Sequence, residues 1–138
     1  MSHEKVEFTL VSPEKHVMSD FVDMVVVPGE VGDFGVLPDH AAMISNLRPG
    51  LVTIYKGMEK RHIFITEGFA NVNEASCTIL AETTEFVEEL NLAEMETLYQ
   101  HLQEEIDIAR CESEKVELRR SRELMMIKIQ LLKKLSAH

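Results

Sequence analysis

All six glycines and all four prolines of the chain lie at or before Gly68, and neither residue occurs from Phe69 to His138. Glycine supplies the positive-φ and close-approach positions that tight turns need, and proline interrupts helices. A chain punctuated this way divides into a turn-rich part and an uninterrupted one. The turn-rich part carries short β-prone runs: VEFTLV from Val6, FVDMVVV from Phe21, LVTIY from Leu51, HIFIT from His62, FANV from Phe69 and CTILA from Cys77. Turns at Arg48, Pro49 and Gly50, and at Lys56 and Gly57, separate consecutive runs. Strands at such spacing predict a sandwich or barrel. The expected domains are 1–87 for the β part and 88–138 for the helical part.

From Leu90, LNLAEMETLYQHLQEEIDIAR sets Met95, Leu98, Leu102, Ile106 and Ala109 three and four residues apart, on one face of a helix. Asn91 is its expected N-cap, with Glu94 closing a capping-box-like pair and Leu90 stapling against Met95. The stretch CESE from Cys111 breaks the rhythm, Ser113 offers a second N-cap, and a second helix is expected from about Glu114 to Leu135. Residues 88–114 hold nine acids against Arg110. Residues 115–138 hold seven bases (Lys115, Arg119, Arg120, Arg122, Lys128, Lys133, Lys134) against Glu117 and Glu123. The opposed charges orient an antiparallel hairpin, but exposed pairs contribute only about 0–1 kcal/mol each, so apolar contact must hold it. The stretch LMMIKIQLLKKL from Leu124 is apolar around more of its circumference than one neighbour covers. The surplus faces the β part, another protein or water.

A formal net charge of −10 repels nucleic acid and anionic lipid. No apolar run approaches the ~20 residues of a membrane helix, and MSHEKVEFTL lacks the basic and apolar regions of a leader, which predicts a cytosolic chain. Cys77 and Cys111 form no ligand spacing and are expected to be two inert thiols. Gly29, Gly32 and Gly35 recur at three-residue intervals in VPGEVGDFGVLPDHAAMI. A phosphate loop needs GxxxxGK[ST] or GxGxxG, and the stretch has neither. It reads instead as a compact turn whose glycines take positive φ or admit close backbone approach, with Asp33 and His40 near one rim. Asp39 and His40 form a catalytic or metal pair only with a nucleophile or third ligand, and the sequence offers none nearby. The expectation is a chain that binds and transmits, with no catalytic residue, metal or cofactor.

The stretch PGEVGDFGVLPDHAAMISNLRPGLVTI, followed by FITEGFANVNEASCTILAETTE and the Gly-free, Pro-free tail, resembles the epsilon subunit of bacterial F-type ATP synthases over nearly the whole chain. The resemblance implies a β sandwich of about ten short strands followed by an antiparallel two-helix hairpin. It also implies a non-catalytic subunit of the central stalk, seated against the gamma subunit and the ring of c subunits, that rotates with them and couples proton flow to ATP synthesis. Many such subunits also restrain ATP hydrolysis by swinging the hairpin up along gamma toward the alpha and beta subunits.

Carried onto this sequence, the resemblance directs Asp33, with Glu30 and His40, at the c-ring. It directs Arg119, Arg120, Arg122, Lys128, Lys133 and Lys134 at the catalytic head or gamma; pairing with the acidic first helix is the competing role. Some relatives bind ATP between the helices through a motif close to I/L-D-x-x-R-A. In LNLAEM, Asn91 replaces the Asp and Glu94 the Arg, so a negative charge stands where phosphate would lie and nucleotide binding is not expected. The implied location is peripheral, on the cytoplasmic face of the bacterial inner membrane, with the membrane reached only through the c-ring. A different class fits the same pattern: an independent β-sandwich binding module with a self-associating helical tail. Copurification with gamma and c subunits separates the two.

Overall fold

The structure, a computed structural model, describes residues 4–136. Ten strands come first: β1 (Val6–Val11), β2 (His16–Val22), β3 (Met24–Gly29), β4 (Gly32–Val36), β5 (Met43–Leu47), β6 (Gly50–Lys56), β7 (Glu59–Ile65), β8 (Gly68–Val72), β9 (Ser76–Ala81) and β10 (Thr84–Phe86). A short 3-10 turn at Val87–Glu89 leads to α1 (Leu92–Ile108) and α2 (Glu112–Ser136). The chain forms two compact units that part between Glu88 and Glu89.

In the first unit the ladder runs β10-β7-β6-β3-β5-β8-β9-β1-β2, with β4 beside β3. The pairs are antiparallel except β1 with β9. Burial alternates along β1 and β9, and Phe8, Leu10, Val25, Val27, Ile63, Ile65 and Ile79 are removed from solvent. Each such side chain contributes about 1.5–3 kcal/mol by leaving water. Cys77 lies among them, and burial pushes its thiol up to about 12, an inert position.

The run FVDMVVV is two strands rather than one. Val22 faces the core and so do Val25 and Val27, which is one residue out of phase, so Asp23 is an inserted corner. Its N–H donates to the Tyr55 carbonyl at 2.8 Å, and its carboxylate accepts from the Gly57 N–H at 2.6 Å and pairs with Lys5. Next to it, Asp20 pairs with Lys56 at 2.8 Å and ties β2 to β6.

In the second unit Asn91 caps α1 as expected, its side chain accepting from the Glu94 N–H at 3.1 Å. The two helices run antiparallel, with Lys133 3.3 Å from Glu96 and Arg122 donating to Gln103 at 2.8 Å. Met95, Ile106, Ile129 and Leu132 form the buried seam. Two expectations are corrected. Leu98 faces outward, because the seam narrows to Met95 and Ile106 with Leu102 half-buried. Ser113 is not the cap of α2: the Lys115 N–H bonds the Cys111 carbonyl at 3.1 Å, so the helix begins at Glu112 and Cys111 takes the capping position. That thiol is exposed, with Sγ 3.0 Å from Ser113 Oγ. The Ser113 hydroxyl first, then the Glu114 and Ser113 N–H groups, lower its pKa.

Candidate partner-binding surfaces

The glycine-rich stretch forms the hairpin of β3 and β4, turning at Glu30 and Val31. Gly32 has φ +145, which favours glycine, and a Cβ on Gly29 would stand 2.6 Å from the Gly32 carbonyl oxygen. The Arg48 N–H donates to the Pro28 carbonyl at 3.0 Å, and the Glu30 N–H to the Asn46 carbonyl at 2.9 Å. The Arg48 guanidinium donates to the Gly29 carbonyl and pairs with Asp33 Oδ1 at 2.5 Å. The Glu30 N–H is spent within the fold and the guanidinium is held by a carboxylate, so the turn does not cradle phosphate. It presents Glu30, Val31 and Asp33 at one end of the unit. Beside it lies an open groove of about 550 Å³, lined by Glu30, Asn46, Arg48, Glu67, Phe69 and Glu82.

His40 does not share this rim. From Asp33 the chain crosses along β4, and the Asp39 N–H then bonds the Glu74 carbonyl at 2.8 Å, beyond Val72. Gly68, at the other end of β8, pairs with Leu47, which pairs with Gly29 beneath the tip. The length of β8, about 13 Å, therefore separates Asp33 from the Asp39–His40 loop. His40 Nδ1 lies 2.7 Å from the Ala41 carbonyl oxygen. Among the described residues no group of three metal-ligating side chains forms.

A second surface escaped the sequence reading. Strand pairing aligns the outward side chains of β5, β8, β9, β1 and β2 into one face. Asn46, Phe69, Leu80 and Val11 make one row, and Ile44, Asn71, Thr78, Thr9 and Ser19 the next, with Glu7 and Phe21 beyond. Ile44 is 74% exposed, Phe21 61% and Phe69 44%. These rows contain no Lys or Arg. Large exposed apolar groups on a face depleted of charge are the composition of an interface centre.

On α2, Lys133 and Arg122 are engaged with α1, and Arg119 lies 3.9 Å from Glu112 of its own helix. Arg120 and Lys134 are exposed and Lys128 is half-buried. At the start of α1, Asn91 is occupied as a cap, and Glu94 brings a carboxylate into the first turn.

A family model described as "ATP synthase, Delta/Epsilon chain, beta-sandwich domain" matches residues 5–87. The chain belongs to this family. Its curated relatives are ATP synthase epsilon chains. That of Rhodospirillum rubrum is 42% identical over 115 residues, covering 83% of this chain and 86% of the relative. That of Paramagnetospirillum magneticum is 44% identical over 113 residues, covering 81% and 85%. A chain from the cryo-EM structure of the Euglena gracilis mitochondrial ATP synthase (OSCP, F1 and c-ring) has the same fold: TM-score 0.77 at 19% identity, over 99% of this chain and 83% of that one. A chain of the Tetrahymena thermophila central stalk and c-ring superposes with TM-score 0.58 at 14% identity, covering 98% of each. The epsilon resemblance carried by the Gly29–Gly50 stretch therefore holds.

One titratable side chain in the β unit of this epsilon chain, His62, gives a pH test. Thr53 Oγ1 lies 3.0 Å from His62 Nδ1; burial, and then the Lys60 charge, hold the imidazole below its ordinary 6.5. The folded form resists protonation and the unfolded chain does not, so this contribution to stability is complete above 6.5 and lost as pH falls from there through the folded-state pKa. Asp20 and Asp23 are held below 3.8 chiefly by Lys56 and Lys5, so their contribution is lost only at still lower pH. Urea midpoints should fall between about pH 7 and 5 in the wild type and less steeply in His62→Gln. Equal slopes would remove His62 from the account.

Proposed function

We propose that this epsilon chain is a non-catalytic subunit of the central stalk. Its β unit docks on the gamma subunit through the outward face of β5, β8, β9, β1 and β2, and the β3–β4 tip meets the c-ring. The three turn together, so that proton flow is coupled to ATP synthesis. The observation that supports this reading is the face holding Ile44, Phe69 and Phe21, large exposed apolar groups whose aligned rows contain no Lys or Arg and a single acid, Glu7. At the tip, Glu30 and Asp33 are the groups offered to the ring, while His40 stands at the other end and serves a different contact. The site of action is the cytoplasmic face of the bacterial inner membrane, reached through the c-ring; no described helix is long and apolar enough to cross a membrane.

The helical unit restrains ATP hydrolysis by reaching the alpha and beta subunits. Two features support this: α2 has 25 residues, a reach of about 37 Å; and its bases can exchange α1 carboxylates for those of a partner at little cost, because exposed pairs are weak. A catalytic head stripped of its own epsilon chain, titrated with the full chain and with a version ending at Glu88, tests this. Both should bind, and only the full chain should slow hydrolysis, severalfold. Binding by both with inhibition by neither removes the brake and leaves coupling; binding by neither overturns the docking. With Glu94 in the first turn of α1, calorimetry with ATP should give no heat of binding, and a micromolar Kd would reverse that expectation.

A further inference from the structure

Two of the three spaced glycines are explained by the fold, Gly32 by its positive φ and Gly29 by the carbonyl against it. Gly35 is not. A Cβ there would meet only the Met24 sulfur at 3.7 Å, an ordinary contact, and its φ lies outside the left-handed region. A glycine within a strand costs roughly 0.5–1 kcal/mol relative to alanine. Nothing in this chain's own packing requires one.

The strand that holds it has an open side. Within the described ladder β4 pairs with β3 alone. Pro28 is opposite Asp33, yet its carbonyl accepts from the Arg48 N–H on the far side, and proline has no N–H. The Pro28–Asp33 pair is therefore of the non-hydrogen-bonded kind, and by alternation so is Val26–Gly35. The N–H and C=O groups of Asp33 and Gly35 consequently point away from β3, along an exposed edge. The usual edge blocks are missing: Gly32–Val36 contains no Lys, no Pro and no bulge against β3.

We infer that the β4 edge is a strand-addition site, where an extended segment of a stalk partner pairs with the backbone of Asp33 and Gly35. Gly35 leaves the approach clear for that segment's main chain. Asp33 is already paired with Arg48, but Glu30 stands exposed at the tip and residues 28–42 contain no Lys or Arg, so the incoming segment brings a base to Glu30 and an apolar residue against the exposed Leu37. The inference rests on the stalk reading above and adds a second, main-chain contact to it.

Gly35→Pro tests it, because the lost N–H points outward and the β3–β4 ladder is spared. Wild type and variant are titrated onto a gamma–c-ring assembly stripped of its own epsilon chain, and amide exchange is followed free and bound. The expected result is binding at least tenfold weaker in the variant at unchanged Tm, with the Asp33 and Gly35 amides of the wild type slowing on assembly. Unchanged affinity, or amides still exchanging freely in the complex, overturns the strand addition while leaving the stalk reading intact. Failure of the wild type to bind overturns both. Should Gly35→Pro melt early, the wild-type amides decide alone.

Discussion

Gly68→Ala should destabilise the β unit by about 3 kcal/mol and lower its Tm by roughly 15 °C. The reason is space rather than φ. A Cβ at Gly68 would stand 1.9 Å from the Leu80 carbonyl oxygen and 2.9 Å from the Ala81 Cα. Neither neighbour is a side chain that can swing aside. Relief requires β8 and β9 to separate where Gly68 pairs with Ala81, next to the Glu82 N–H to Glu67 carbonyl bond. Separation there loosens two strands of the five-stranded outward face and exposes Leu47 and Ala81, which are buried at that end. Gly35→Ala is the internal control, neutral or stabilising by about 0.4–1 kcal/mol, since alanine narrows the unfolded ensemble at a position with room for it. Calorimetry on the full chain reads both. Equal melting of the two variants would mean that the β8–β9 contact yields more easily than backbone geometry allows.

The same glycines measure how much of the molecule was legible in advance. Their confinement to the first part separated strands from helices, and VEFTLV coincides with β1 because its apolar residues alternate cleanly. The Asp23 corner was hidden, because a single Asp within FVDMVVV can also be an outward residue of one strand, and only the phase of burial divides the run. β4 and β5 left little signal: GDFGV has two glycines in place of side chains, and MISNL sets Met43 and Ile44, apolar neighbours, on opposite faces. Pairing across strands is a long-range property, so the sequence could not tell that Asp33 and His40 go to opposite ends or that Ile44 and Phe69 share a face. What pointed to Asp33 was the resemblance. What corrected His40 was the ladder.

Ile44→Glu combined with Phe69→Glu should weaken binding to a gamma-containing stalk by about 4 kcal/mol, roughly a thousandfold. These side chains are already exposed in the free chain, so the substitutions leave the core alone and Tm should move little. In a docked face both carboxylates would be taken out of water, and no Lys or Arg of the aligned rows could pair with them. Surface plasmon resonance with immobilised stalk gives the ratio directly, and the single variants show whether the two positions act as one patch. Because Ile44 and Asn71 are paired and Asn71 and Thr78 continue the same row, a charge at Ile44 should also blunt the effect of one at Thr78, which shares the desolvated strip. An undiminished affinity in the double variant would move the stalk contact off this face. The acidic end around Glu30 would then be the remaining candidate, distinguishable because its binding, built on exposed charge, should weaken steeply with salt while an apolar face should not.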